Sequence, residues 1–230
     1  MSLAILVFLN MLYRLFHSLY LYVISLFFCL RYLPLKVAVK VPIYISPHVR
    51  IGKLKKNSII FDCEPKRSMI VIGFNGTEGM NTQTSFISVN KDGKIIFNGY
   101  AIISRGVNII ADGGIISFGN HFFCNNNCRF WSNTKIIIGD DNMYGWSINF
   151  NTSNGHLIYE NGVQKPMTGN IAIGNHVWIC SYCNISKNIF IADGCVVSQN
   201  SLVVKKHYNK DTLIGGNPAR DLKHNIEWKK

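Results

Sequence analysis

Every sixth residue from Ile173 to Val203 is a β-branched aliphatic: Ile173, Ile179, Ile185, Ile191, Val197 and Val203. The residues four positions after the first five are small or aliphatic: Val177, Cys183, Ile189, Cys195 and Ser201. A period of six fits neither the two-residue alternation of an ordinary strand nor the 3.6 residues of a helix. It fits a coil of flat six-residue sides. The aliphatic residue points into a prism, and the residue four places on fills the cramped corner. Polar residues (Asn175, Ser181, Lys187, Asp193, Gln199) fall between them. Each coil pairs with the next and buries one continuous core.

The same period recurs upstream in shifted phases. Phe97, Ile103, Ile109 and Ile115 form one run; Phe118, Cys124, Phe130 and Ile136 a second; Ile138, Tyr144 and Phe150 a third. The pattern predicts an all-β chain: a parallel β-helix over 95–219, interrupted near 151–170, with a short tail at 220–230. Residues 34–94 read as a basic linker and irregular first coils. Residues 1–33 read as an apolar α-helix.

That helix is not uniformly apolar. Residues 3–30 would run about 42 Å, long enough to cross a bilayer. Asn10, Arg14, His17, Ser18 and Ser25, however, recur at helical spacing as a polar stripe. Three arrangements fit: a helix lying in the membrane interface, a single span with its basic side cytoplasmic, and a helix packed within an oligomer. There is no basic region followed by a small-residue cleavage site, so a cleaved signal peptide is not expected.

Charge points the same way. The net charge is +12, and residues 1–61 hold eight Lys or Arg with no Asp or Glu. A basic flank beside an apolar segment suits an anionic membrane surface. No nucleic-acid-binding signature accompanies it, and no nucleic acid partner is expected. Seven cysteines, an odd number without a disulfide framework, indicate a reducing compartment. Cys124, Cys128, Cys183 and Cys195 fall on inward or corner positions of the repeat, so core packing explains them and no metal site is expected.

The stretch IGNHVWICSYCNISKNIFIADGCVVSQNSLVVKK resembles the hexapeptide-repeat acyltransferases, in particular their polysaccharide O-acetyltransferase branch. LIGGNPARDLK (213–223) is similar to the closing motif of that family. IGDDNMYGWSINFNTSNGH (138–156) is similar to the segment that ends in its active-site histidine, and GKIIFNG (93–99) to an opening coil. The likeness covers about 93–223. It implies a left-handed coil, a homotrimer with the active site between neighbouring prisms, and acetyl-CoA as co-substrate.

The implied chemistry is acetyl transfer to a hydroxyl. A sugar hydroxyl is a poor nucleophile at neutral pH and needs a base at hydrogen-bond distance; histidine titrates in the right range. His156 sits where the repeat breaks and matches the family's catalytic histidine. The resemblance makes the Ser181 backbone N–H the oxyanion donor, with Cys180 standing where the family usually has Gly. It makes Lys205 and Arg220 basic contacts for the CoA moiety; Lys206 is adjacent to assist them, Gly216 shapes the loop that would hold the nucleotide, and Trp178 is expected to pack near the CoA channel. Trp146 is expected at the acceptor. Related sequences often carry an acid just before the histidine, whereas this chain has Asn151, Thr152, Ser153 and Asn154. Asn151, Glu160 or a backbone carbonyl would then orient the imidazole, and Asn151 and Glu160 are taken as acceptor-side residues.

The expected function is O-acetylation of a sugar in capsule, O-antigen or related surface polysaccharide biosynthesis. The apolar N-terminus fits a lipid-linked acceptor and a cytoplasmic location at the inner face of a bacterial membrane. The alternatives are an N-acyltransferase on an amino sugar nucleotide and a non-catalytic β-helix scaffold. A carbonic anhydrase on the same fold would need three converging histidines, a pattern the sequence lacks.

Overall fold

The computed structural model describes residues 3–74, 76–79 and 83–230. From Ile43 onward the chain lays its strands on three sheets in rotation. Ile43–Ile45 opens a nine-stranded sheet, Val49–Ile51 a seven-stranded one and Ile59–Phe61 a six-stranded one. Each sheet is one side of a triangular prism.

Register explains both the clear and the blurred parts of the repeat. Near the C-terminal end a coil takes 18 residues, three hexads: Trp178 pairs with Val196 and Asn184 with Leu202. In the middle it takes 20 or 21, as in Arg129 with Asn149 and Asn108 with Arg129. The surplus residues sit at corners and shift the phase. Ile116 rather than Ile115 is therefore the buried isoleucine of its strand. At the start the coils are longer still: Ile43 pairs with Ile70, 27 residues on, and Ile59 with Ile95, 36 on. The prism thus reaches back to Ile43, well into the 34–94 stretch read from sequence as linker and irregular coils.

Polar residues between hexads serve the corners. Asn127, Ser147, Tyr182 and Asn200 occupy one corner column in successive coils, all with positive φ between 57° and 64°. Three of the four, Asn127, Ser147 and Asn200, are short polar side chains, which tolerate this left-handed backbone better than branched apolar ones do. Inside the prism, Phe118, Phe122, Phe130, Tyr144 and Phe150 form a buried ladder of rings. Phe130 lies 4.8 Å from Phe150, stacked, and 5.3 Å from Phe118, edge to face. Such pairs add to the stabilisation from area burial.

The helix Leu3–Tyr32 closes the N-terminal end. Leu21, Ser25, Phe28 and Cys29 are buried against the first coil. Ser25 Oγ accepts the Ile45 N–H at 3.0 Å and donates to Leu21 O at 2.8 Å. The exposed edge of a sheet is thereby given a partner. Ser25→Ala leaves that buried amide unpaired, a cost of about 1–3 kcal/mol. Hydrogen exchange at the Ile45 amide should accelerate ahead of the core amides.

Candidate functional site

The chain leaves the prism after the strand Asn149–Asn151 and returns at Ile171. The excursion has a closed neck. Asn154 N–H donates to Met167 O and Gly169 N–H to Thr152 O, both at 2.9 Å. Beyond the neck, Ile158–Glu160 and Val163–Lys165 form an antiparallel hairpin. Asn161 and Gly162 turn it with positive φ at both positions, the conformation that makes Asn-Gly a hairpin signal. Lys187 Nζ, from the coil below, donates to Pro166 O at 2.7 Å and ties the returning limb down.

His156 lies between neck and hairpin, exposed. The two side chains expected to orient it are engaged elsewhere. Asn151 Oδ1 accepts the Ser153 N–H at 3.1 Å, and Ser153 Oγ accepts the Gly155 N–H at 3.0 Å, so both shape the neck. Glu160 pairs with Lys165 across the hairpin.

Ser181 occupies a corner on the other edge of the seven-stranded side. Its Oγ accepts the Trp146 N–H at 3.2 Å. Among the described residues no acceptor takes the Ser181 N–H. Gly145 keeps that amide clear, because a Cβ there would lie 2.5 Å from Ser181 Oγ and 2.8 Å from Ser181 N. Trp146 and Tyr182 meet edge to face at the same corner, 6.5 Å apart. Within one chain, then, His156 and Ser181 stand at opposite edges of one side. Between them runs a groove of about 490 Å³ lined by Arg129, Trp131, Asn149, Asn151, Asn184 and Leu202, among others. Trp131, half exposed on this side, was not singled out from sequence. The readable signal is a tryptophan at an outward position between inward Phe130 and Ser132.

Lys205, Lys206 and Arg220 do come together, around one depression with His207, Tyr208, Asn209 and Asp221. Burial alone would raise the Asp221 carboxyl. Hydrogen bonds from His207 Nδ1 (2.5 Å) and Asn209 (2.9 Å) outweigh it and hold the carboxyl below the usual range. Gly216, with φ of 105°, ends the strand Leu213–Gly216 just before the turn that returns to Arg220. Trp178 lies elsewhere, under the C-terminal tail. The Trp228 ring stacks on His176 at 4.1 Å and packs on Trp178 at 5.9 Å. This long-range docking of a lone aromatic in a polar tail has no periodic signal in the sequence.

Cys180 and Cys183, the thiols flanking Ser181, offer no nucleophile. Burial pushes Cys180 up and takes Cys183 to about 11, so both stay protonated near neutrality. Among the described residues no three His, Cys, Asp or Glu side chains are grouped to hold a metal.

Two carboxylates are expected to make the last coils acid-sensitive. Asp193 is held low by hydrogen bonds from Lys210 and the Asn175 N–H, and Asp221 as above. A lowered folded pKa gives stability that is present above the unfolded value, about 3.9, and is lost as pH falls through the folded one. Trp228 emission should therefore report loosening of the C-terminal coils below about pH 4. Asp221→Asn should flatten part of that slope.

No family model matches the chain. A 24.8 kDa protein from the cps region of Klebsiella pneumoniae, without an assigned activity, is 32% identical over 199 residues, 86% of each chain. The galactoside O-acetyltransferase of Escherichia coli K12 is 29% identical over 115 residues, 48% of this chain and 55% of that enzyme. A chloramphenicol acetyltransferase of Morganella morganii is 46% identical over 55 residues, 24% and 26% of the two chains. Among solved structures, the polySia-specific acetyltransferase NeuO superposes with a TM-score of 0.53 at 21% identity, over 81% of this chain and 89% of that one.

The chain belongs to the hexapeptide-repeat acetyltransferases. The prism is their left-handed parallel β-helix. This member of the hexapeptide-repeat acetyltransferases matches the relatives of named activity over about half their length or less, whereas it matches the cps-region protein almost throughout.

Proposed function

We propose that the protein transfers the acetyl group of acetyl-CoA to a hydroxyl of a sugar in a bacterial surface polysaccharide or its precursor. One observation carries the reading: the hairpin-bearing insertion at 153–170, which interrupts the prism, presents an exposed histidine, His156. The cps-region relative and the fold shared with a polySia-specific acetyltransferase support a polysaccharide acceptor.

His156 removes the proton as the hydroxyl oxygen attacks the thioester carbonyl. The Ser181 N–H, which no acceptor takes among the described residues, donates to the oxyanion that develops on that carbonyl oxygen. Collapse of the tetrahedral species breaks the carbon–sulfur bond, and His156 returns the proton to the leaving sulfur. Lys205, Lys206 and Arg220 surround a depression suited to phosphate groups of CoA. His156 and Ser181 lie on opposite edges of one side, so the site is completed between copies: the His156 edge of one chain meets the Ser181 edge of the next, in a trimer.

The test is purified protein incubated with acetyl-CoA and sugar acceptors that offer hydroxyl or amino groups, following release of CoA thiol and the mass of the acceptor. Acceptor-dependent release with a gain of one O-acetyl group is expected. Transfer confined to amino acceptors would replace O- by N-acylation. CoA release independent of any acceptor sugar would remove the reading.

A further inference from the structure

The N-terminal helix is longer than the prism end it closes. Its second half, from Leu21, packs on the first coil, while residues 6–20 are almost all exposed. Leu21, Ser25 and Phe28 lie on the face that meets the prism. Stepping back along that same face at helical spacing gives Ser18 and His17, then Arg14, then Asn10. The polar residues of the free half thus continue the docked face. The opposite face is apolar from end to end. Leu9, Phe16, Leu19, Val23, Phe27 and Leu30 follow helical spacing along it, and each is 43–65% exposed. Where the helix crosses the prism end, this apolar face looks away from the protein.

Charge identifies the occupant. Arg31, Lys36, Arg50, Lys53 and Lys56 are all exposed and lie at the end of the helix, on the short helix Leu35–Ala38 or in the first coil. The first acidic residue in the chain is Asp62. A basic collar beside a broad apolar stripe complements an anionic lipid surface. A transverse helix would carry Arg14 and Asn10 into hydrocarbon. A helix lying flat puts its apolar stripe among the acyl chains and keeps Arg14, Asn10 and His17 on the protein side.

We infer that this helix is an in-plane anchor that seats the N-terminal end of the prism on an anionic bilayer, parallel to its surface. The inference is independent of the acetyl-transfer reading.

The full chain should float with phosphatidylcholine vesicles containing phosphatidylglycerol at least tenfold more than with phosphatidylcholine alone. The pair Phe16→Asp and Leu19→Asp, both on exposed positions, should cut flotation at least tenfold without changing the far-ultraviolet circular dichroism of the prism. For depth, Phe16→Trp fluorescence should be quenched by brominated acyl chains, above the background of the native tryptophans, and Ser18→Trp should not. Three results overturn the inference. Wild-type protein that floats with neither vesicle removes the membrane. Equal quenching at positions 16 and 18 makes the helix a span. Unchanged flotation of the aspartate pair with a fall in oligomer mass makes the stripe a contact between copies.

Discussion

His156→Ala is expected to lower kcat by about 10²- to 10⁴-fold, the range typical of a lost general base. The Michaelis constant for acetyl-CoA should change little, because the loop that carries His156 is anchored independently of the ring. The neck bonds of Asn154 and Gly169, and the Lys187 contact to Pro166, involve no atom of His156. His156→Asn keeps a polar side chain but supplies no base, so it should be as slow as alanine. Steady-state kinetics with CoA binding measured in parallel separates a lost base from a damaged site. If the alanine variant kept its full turnover, the proton would have to leave through another group.

The second large effect is on stability. Phe130→Ala should destabilise the fold by about 3–5 kcal/mol, the usual cost of emptying a large aromatic site in a core. Phe130 is fully buried and packs against Phe118, Phe122, Tyr144 and Phe150, which come from four other strands. Those rings are held by their own coils and cannot collapse into the space. The next residue, Trp131, points outward and is 50% exposed, so Trp131→Ala should cost only about 0.5 kcal/mol. Chemical denaturation of the two variants reads the in-and-out alternation of one strand directly.

How far the sequence could be read depended on how many residues each coil uses. From Ile173 to Val203 the coils hold 18 residues, and every sixth position is buried as expected. Upstream, one corner residue more or less per side moves the phase, which displaced Ile115 in favour of Ile116. The first coils, 27 to 36 residues long, leave no period to detect, although their strands Ile43–Ile45 and Ile59–Phe61 pair in register like the rest. The candidate site was legible only where local features mark it. Position 156 stood out because it falls in the break, and Lys205, Lys206 and Arg220 are close in sequence to the turns that gather them. The partners of Asn151 and Glu160 were not legible. Short-range turn and hairpin bonding claims both side chains, and no spacing rule says which local partner wins. The Trp228 contact joins residues 52 apart, His176 and Trp228, and leaves no periodic trace.

The insertion at 153–170 lengthens one circuit of the prism to 35 residues, as Ile136 pairing with Ile171 shows, against 18 for the circuit that follows. Closing a chain segment costs free energy only as the logarithm of its length, so doubling a circuit costs about 0.6 kcal/mol. The neck restores the register before the next strand begins. The excursion therefore behaves as a cassette. Its hairpin can be exchanged, extended or shortened beyond Asn154 and Met167 while the coils above and below keep their pairing.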